Sequence, residues 1–133
     1  MIVMRGTTVL LDTSVFLLLY EGVDIFERIS DVLLTKCRYV TLSSVVEELI
    51  RLSQVSHGRR GRAARLALSA IPKYVEVIDV VSRGSADEDI VNYVSKHRDI
   101  YVATADRGLK ERLMGMGIKV IFYRRSKRGF EVI

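Results

Sequence analysis

The 133-residue chain has no tryptophan, one proline, one cysteine and almost no side-chain amides. A lone Cys37 can neither close an internal disulfide nor build a Cys-rich zinc site, so a reducing, cytoplasmic setting is expected. Long hydrophobic runs are missing as well. Val15 to Tyr20 covers roughly a third of a membrane span, and it lacks the basic flank and small-residue cleavage site of a signal peptide. The expectation is a soluble intracellular protein without a membrane partner. Scarce amides beside plentiful Arg, Val and Ile lean toward heat-adapted compositions.

What is present is an ordinary globular balance. Hydrophobic residues make up 49% and charged residues 28%, which excludes the low-hydrophobicity composition of disorder. The length suits one domain (residues 1–133) with a core that needs no disulfide or metal staple. A net charge of +5 and a pI near 9.6 point to a polyanionic partner such as nucleic acid.

Short β-branched runs alternate with helical periods along the chain. Val9 to Leu11 reads as a buried strand ending at Asp12, and Asp24 to Lys36 as a helix with Ile25, Ile29, Val32 and Leu33 on one face. Arg38 to Leu42 is a second strand, and Ser44 to Ser53 a helix carrying Val45, Leu49 and Leu52 together. Gly58 to Gly61 marks a turn, followed by an Ala- and Leu-rich helix from Arg62 to Ile71 that Pro72 stops. Tyr74 to Val80 is a third strand, Asp87 to Lys96 a helix, Tyr101 to Thr104 a fourth strand and Arg107 to Met114 a helix. Lys119 to Tyr123 is the fifth strand, and Phe130 to Ile133 is short enough to fold back as a hairpin. Strands separated by helices imply βαβ crossovers, hence a three-layer α/β/α domain around a mostly parallel five-stranded sheet.

Ligands of such sheets collect beyond the carboxyl ends of the strands. Four acids from distant stretches fall on that rim: Asp12 after the first strand, Glu48 early in the next helix, Asp87 opening another helix, and Asp106 after the fourth strand. Helix starts also have a structural use for acids. Ser44 with Glu47, and Ser85 with Glu88, match the S-x-x-E capping box, which assigns Glu47 and Glu88 to structure. Asp106 is equally suited to an N-cap. Asp12 is harder to assign to structure, because capping a helix near Ser14 leaves the gathering of the other acids unexplained. Crowded carboxylates repel one another unless a cation intervenes. An oxygen-only donor set selects a hard ion, so Mg²⁺ or Mn²⁺ is expected and zinc is not. An ion held by acids on a basic protein suits phosphodiester cleavage, with Thr104 placed to orient water or phosphate, or to serve simply as a strand residue.

The motifs VLLDTS at Asp12, SSVVEELIRL at Glu48, SADEDIV at Asp87 and VATADRGLKERL through Thr104 and Asp106 stand in one order on alternating β and α elements. In that order the chain resembles the PIN-domain nucleases over nearly its whole length, closest to the branch with ribosome-processing PIN nucleases and VapC-like archaeal proteins. The resemblance implies Mg²⁺- or Mn²⁺-dependent cleavage of single-stranded or structured RNA, as a toxin or an rRNA-processing factor. It carries catalytic metal binding onto Asp12, Glu48, Asp87 and Asp106, with Thr104 in support. RNA is the implied partner, with an antitoxin or a ribosome-assembly protein as protein partner and a homodimer as an open assembly. Ser14 departs from the asparagine common in that branch, which puts substrate contact there in question.

Basic clusters occur at Arg59 to Arg65, at Arg124 to Arg128, and at Arg107, Lys110 and Arg112. Each also fits a solvated face. Arg107 and Lys110, beside Asp106, are the preferred contacts for RNA phosphates. Two other readings use the same residues. A catalytically silent PIN scaffold would bind RNA or a protein without cutting. A receiver-like signalling domain would use Asp79 as phosphate acceptor with Thr104 and Lys119, leaving Glu48, Asp87 and Asp106 idle.

Overall fold

The computed structural model describes residues 6–133. The strands are β1 (Thr7–Leu11), β2 (Cys37–Leu42), β3 (Val75–Ile78), β4 (Tyr101–Thr104), β5 (Val120–Arg124) and β6 (Gly129–Val132). They form one sheet in the order β3-β2-β1-β4-β5-β6. The first five pair in parallel, with Val9 opposite both Tyr39 and Tyr101, and β6 returns antiparallel against β5. The sheet thus has six strands where five are expected, because the tail does fold back through a turn with Arg128 in the left-handed region (φ 50°).

Six helices cover the sheet: α1 (Thr13–Phe16), α2 (Ile25–Leu33), α3 (Ser43–Val55), α4 (Arg59–Tyr74), α5 (Ala86–Lys96) and α6 (Arg107–Gly115). Right-handed crossovers place α1 to α4 on one face and α5 and α6 on the other. Both faces being covered, Val9, Leu10 and Leu11 of β1 and Val40 and Leu42 of β2 are fully buried, as a doubly covered parallel strand requires. Phe16, Ile29 and Leu49 pack on one side, Ile90, Val94 and Leu113 on the other. Each such side chain contributes about 1.5–3 kcal/mol of burial.

Several local expectations are corrected. Helix α4 begins at Arg59, inside the expected turn, because Gly61 tucks against the end of α3: a Cβ there would meet the Ser56 carbonyl oxygen at 1.9 Å. Pro72 lies in the last turn and forgoes a single i−4 bond, so the helix continues to Tyr74 instead of stopping. Val32 is exposed, not part of the buried face, since α2 ends at Leu33 and Leu34 turns left-handed (φ 56°). The Ser44–Glu47 capping box does not form. Strand β2 runs straight into α3 with Leu42 at the N-cap, which leaves Ser44 buried inside the first turn. Ser43 instead bonds both backbone groups of Val80, fastening β2 to the segment after β3.

Among the described residues no helix is long and apolar enough to cross a membrane.

Candidate active site

Strand order reverses direction between β1 and β4, and a crevice opens beyond the carboxyl ends of such a pair. Here it is a cleft of about 490 Å³ lined by Asp12, Glu48, Asp87 and Asp106, four acids from four separate elements.

Asp12, 3% exposed, occupies the N-cap position of α1 but makes no side-chain capping bond. Its carboxylate is oriented by two hydroxyls. Ser14 Oγ donates to Oδ2 at 2.7 Å and Thr104 Oγ1 donates to the same oxygen at 2.8 Å. Each hydroxyl is held in turn from behind, Ser14 Oγ by the Ala105 amide at 2.9 Å and Thr104 Oγ1 by the Asp106 amide at 3.0 Å. A hydroxyl has one proton to give; both donors converge on Oδ2, and among the described residues no side chain bonds Oδ1. Thr104 therefore acts through Asp12, and Ser14 is turned inward to the same task.

The other acids are positioned by their own elements. Thr13 Oγ1 donates to Glu48 Oε2 at 2.8 Å, linking α1 to α3. Asp106 is the N-cap of α6 and accepts from the Leu109 amide at 2.9 Å through Oδ1. Its capping role and its place in the cleft coexist. Asp87 stands in the first turn of α5, after the N-cap Ser85, which accepts from the Glu88 amide at 3.2 Å. Glu88 completes no capping box; its carboxylate pairs with Arg112 at 2.5 Å, outside the cleft.

The electrostatics follow from the crowding. Burial pushes the Asp12 carboxyl above its ordinary range, the Ser14 and Thr104 hydroxyls and the Thr13 amide pull it back, and Glu48 adds repulsion. Asp87 is pushed up to about 6, first by burial and then by the charges of Asp12, Asp106 and Glu48, against a smaller pull from Arg112. Among the described residues none of the four acids belongs to an ion pair.

Some of the cleft was not anticipated. Glu47, read as a cap, lines it, as do Arg51, Arg60 and Arg125. The spacing held a signal for two of these, because Arg51 follows Glu48 by three residues and Glu47 by four, the spacings that share a helical face. Outside the cleft, Asp89, 4% exposed, was also missed: it accepts from Ser82 Oγ at 2.7 Å and the Arg83 amide at 2.9 Å, pinning the loop that enters α5. Arg107 and Lys110 do not line the cleft. The Lys110 ammonium lies over the Phe122 ring, 4.6 Å from its centroid. Asp79, exposed after the edge strand β3, is likewise absent from the cleft, and Lys119 precedes β5 at the opposite end of the sheet. The receiver-like arrangement is not built.

Fold and site together define a three-layer α/β protein with an acidic cleft at its switch point. Residues 9–126 match the family described as PIN like domain, and the chain belongs to that family. Ribonuclease VapC4 of Methanocaldococcus jannaschii is 40% identical over 100 residues, spanning 74% of this chain and 74% of that protein. The solved structure of the PIN domain endonuclease Utp24 superposes with a TM-score of 0.75 at 26% identity, over 94% of this chain and 90% of that one. A domain of a functionally unknown protein from Methanocaldococcus jannaschii shares the fold, with a TM-score of 0.61 at 19% identity over 96% and 99% of the two chains.

Proposed function

We propose that the protein is an Mg²⁺- or Mn²⁺-dependent endoribonuclease, acting as a VapC-like toxin or in rRNA processing. The observation that carries this reading is the convergence of four carboxylates without cationic partners on one cleft. The ribonuclease and endonuclease among its relatives support it.

The donor set fits a hard ion. It offers carboxylate oxygens and no sulfur or imidazole, since Cys37, His57 and His97 are all absent from the cleft. Among the described residues no three acids draw close enough to cage a metal unaided. Mg²⁺ typically takes one or two carboxylates and keeps several waters, so an open set suits it. Asp12, Glu48, Asp87 and Asp106 would hold the ion. When bound, it neutralises charge growing on the phosphate and acidifies water.

The chain's own residues do the rest. Ser14 and Thr104 fix Asp12, Thr13 fixes Glu48, and the Leu109 amide fixes Asp106, so three acids are held in place before any ligand arrives. Preorganised charge of this kind needs no rearrangement during reaction. Asp87 makes no such bond among the described residues, and in the metal-free protein its carboxyl retains a proton up to about pH 6.

The test incubates single-stranded RNA with Mn²⁺ and the wild type, Asp12→Asn or Asp106→Asn. The wild type should cleave, EDTA should stop it, and each variant should lose at least about 100-fold in rate. Equal cleavage by all three would overturn the assignment. RNA bound but left intact under every divalent ion would favour the silent scaffold.

A further inference from the structure

An anionic substrate meets a difficulty in this cleft. Five carboxylates line it (Glu47 joins the four), and a phosphodiester approaching them is repelled. Three guanidiniums line the same cleft, brought by three separate elements: Arg51 from α3, Arg60 from the first turn of α4, and Arg125 from the 3-10 turn Arg125–Lys127 after β5.

We propose that Arg51, Arg60 and Arg125 form the phosphate-binding rim that seats the RNA backbone over the acidic floor, a role resting on the ribonuclease reading above. The three arginines are exposed. Among the described residues, neither Arg51 nor Arg60 makes an ion pair, so their charges are uncommitted. Arg125 is steadied, not neutralised out of reach. Its Nη atoms grip Glu21 at 3.0–3.3 Å, its side chain stays 64% exposed, and Nε makes no bond among the described residues. Since a guanidinium carries five donors in a fixed fork, donors remain for a phosphate.

Helix stability does not explain Arg60. Arg59, Arg60 and Arg62 occupy the first turn of α4, where the helix dipole disfavours cations and no acidic residue compensates. The position is nevertheless fixed. Gly61 packs against the Ser56 carbonyl, and neighbouring Arg62 donates through Nε to the Tyr20 hydroxyl at 2.9 Å. Tyr20 and Glu21 both belong to the 3-10 turn Leu17–Glu21 that follows α1. A single segment thus steadies the α4 side and the Arg125 side of the rim.

The experiment measures binding of a short fluorescein-labelled single-stranded RNA to Asp12→Asn protein across a salt series, so that cleavage plays no part. Arg51→Ala, Arg60→Ala and Arg125→Ala are added singly to that background. Lys96→Ala, at the opposite end of the parallel strands, carries the same charge change as a control. Each rim variant should weaken binding about three- to tenfold and lower the salt slope by ~0.7, the value for one lost phosphate contact on a single strand. Lys96→Ala should do neither. Rim variants that bind like the Asp12→Asn parent with an unchanged slope would overturn the proposal, as would an equal loss in Lys96→Ala. In wild-type protein, the same rim changes should raise KM and leave kcat nearly unchanged. If the wild type binds RNA through these arginines but cuts none, the ribonuclease reading fails while the rim stands.

Discussion

The two ends of the parallel sheet handle charge in opposite ways. At the amino end, three cations are committed. Arg38 pairs with Glu76, Arg98 donates to the Met116 carbonyl, and the Lys119 ammonium lies over the Tyr101 ring at 5.4 Å. At the carboxyl end, five acids share one cleft without an ion pair among the described residues, and hydroxyls and an amide orient three of them. A chain selected for stability alone would pair or disperse those acids. That it holds them together, with Asp12 nearly buried, is what the proposed metal-dependent function accounts for.

The sharpest way to break the contrast is to remove one acid. Asp12→Asn should cut RNA cleavage by at least about 100-fold. It should also raise the melting temperature in EDTA, because Asn still accepts from Ser14 and Thr104 while one repelling charge is gone. A melting temperature that falls would show that the acids are not in conflict.

Gly61→Ala tests how the α3–α4 hairpin frames the cleft. The new Cβ meets backbone, so α4 must shift, at about 1–3 kcal/mol of stability by denaturant titration. Thr13→Val removes the only side-chain hydrogen bond to Glu48 among the described residues. Loss of such a support typically costs ~10-fold in metal affinity or rate, which Mn²⁺-dependent kinetics would read.

Asp87 gives the contrast a pH signature. Its folded-state value of about 6 lies above the ordinary 3.8, so the folded protein holds a proton there that the unfolded chain has released. Its penalty is absent below the ordinary value and complete above the folded one. Metal-free stability should therefore decline as pH rises through about 6, and Asp87→Asn should remove that decline. Saturating Mn²⁺ should remove it too. The smallest effect belongs to the amino end: Arg38→Met breaks an exposed pair, and should change stability by less than about 1 kcal/mol and cleavage not at all.

How much of this was legible in the sequence depends on which interactions decide each element. The parallel sheet and the gathering of Asp12, Glu48, Asp87 and Asp106 follow from alternation of β and α segments, because the carboxyl end of a parallel strand has only one rim to face. Tertiary context decided the rest. Ser44 matches a cap by spacing, yet β2 enters α3 without a loop and moves the cap to Leu42. Glu47 was lost with it. Arg107 adjoins Asp106 in sequence, but neighbours on a helix point 100° apart, so adjacency does not place it in the cleft. Arg60 and Arg125 stand far apart along the chain yet line one cleft, and the bonds that tie their surroundings to one turn, Arg62 to Tyr20 and Arg125 to Glu21, are contacts no local pattern encodes.

The most direct measurement is calorimetric titration of Mn²⁺ into the wild type and Asp12→Asn at neutral pH. Saturable binding in the wild type, lost or weakened at least about tenfold in the variant, is the expected result. Indistinguishable isotherms would contradict the claim that these carboxylates are held together for a cation.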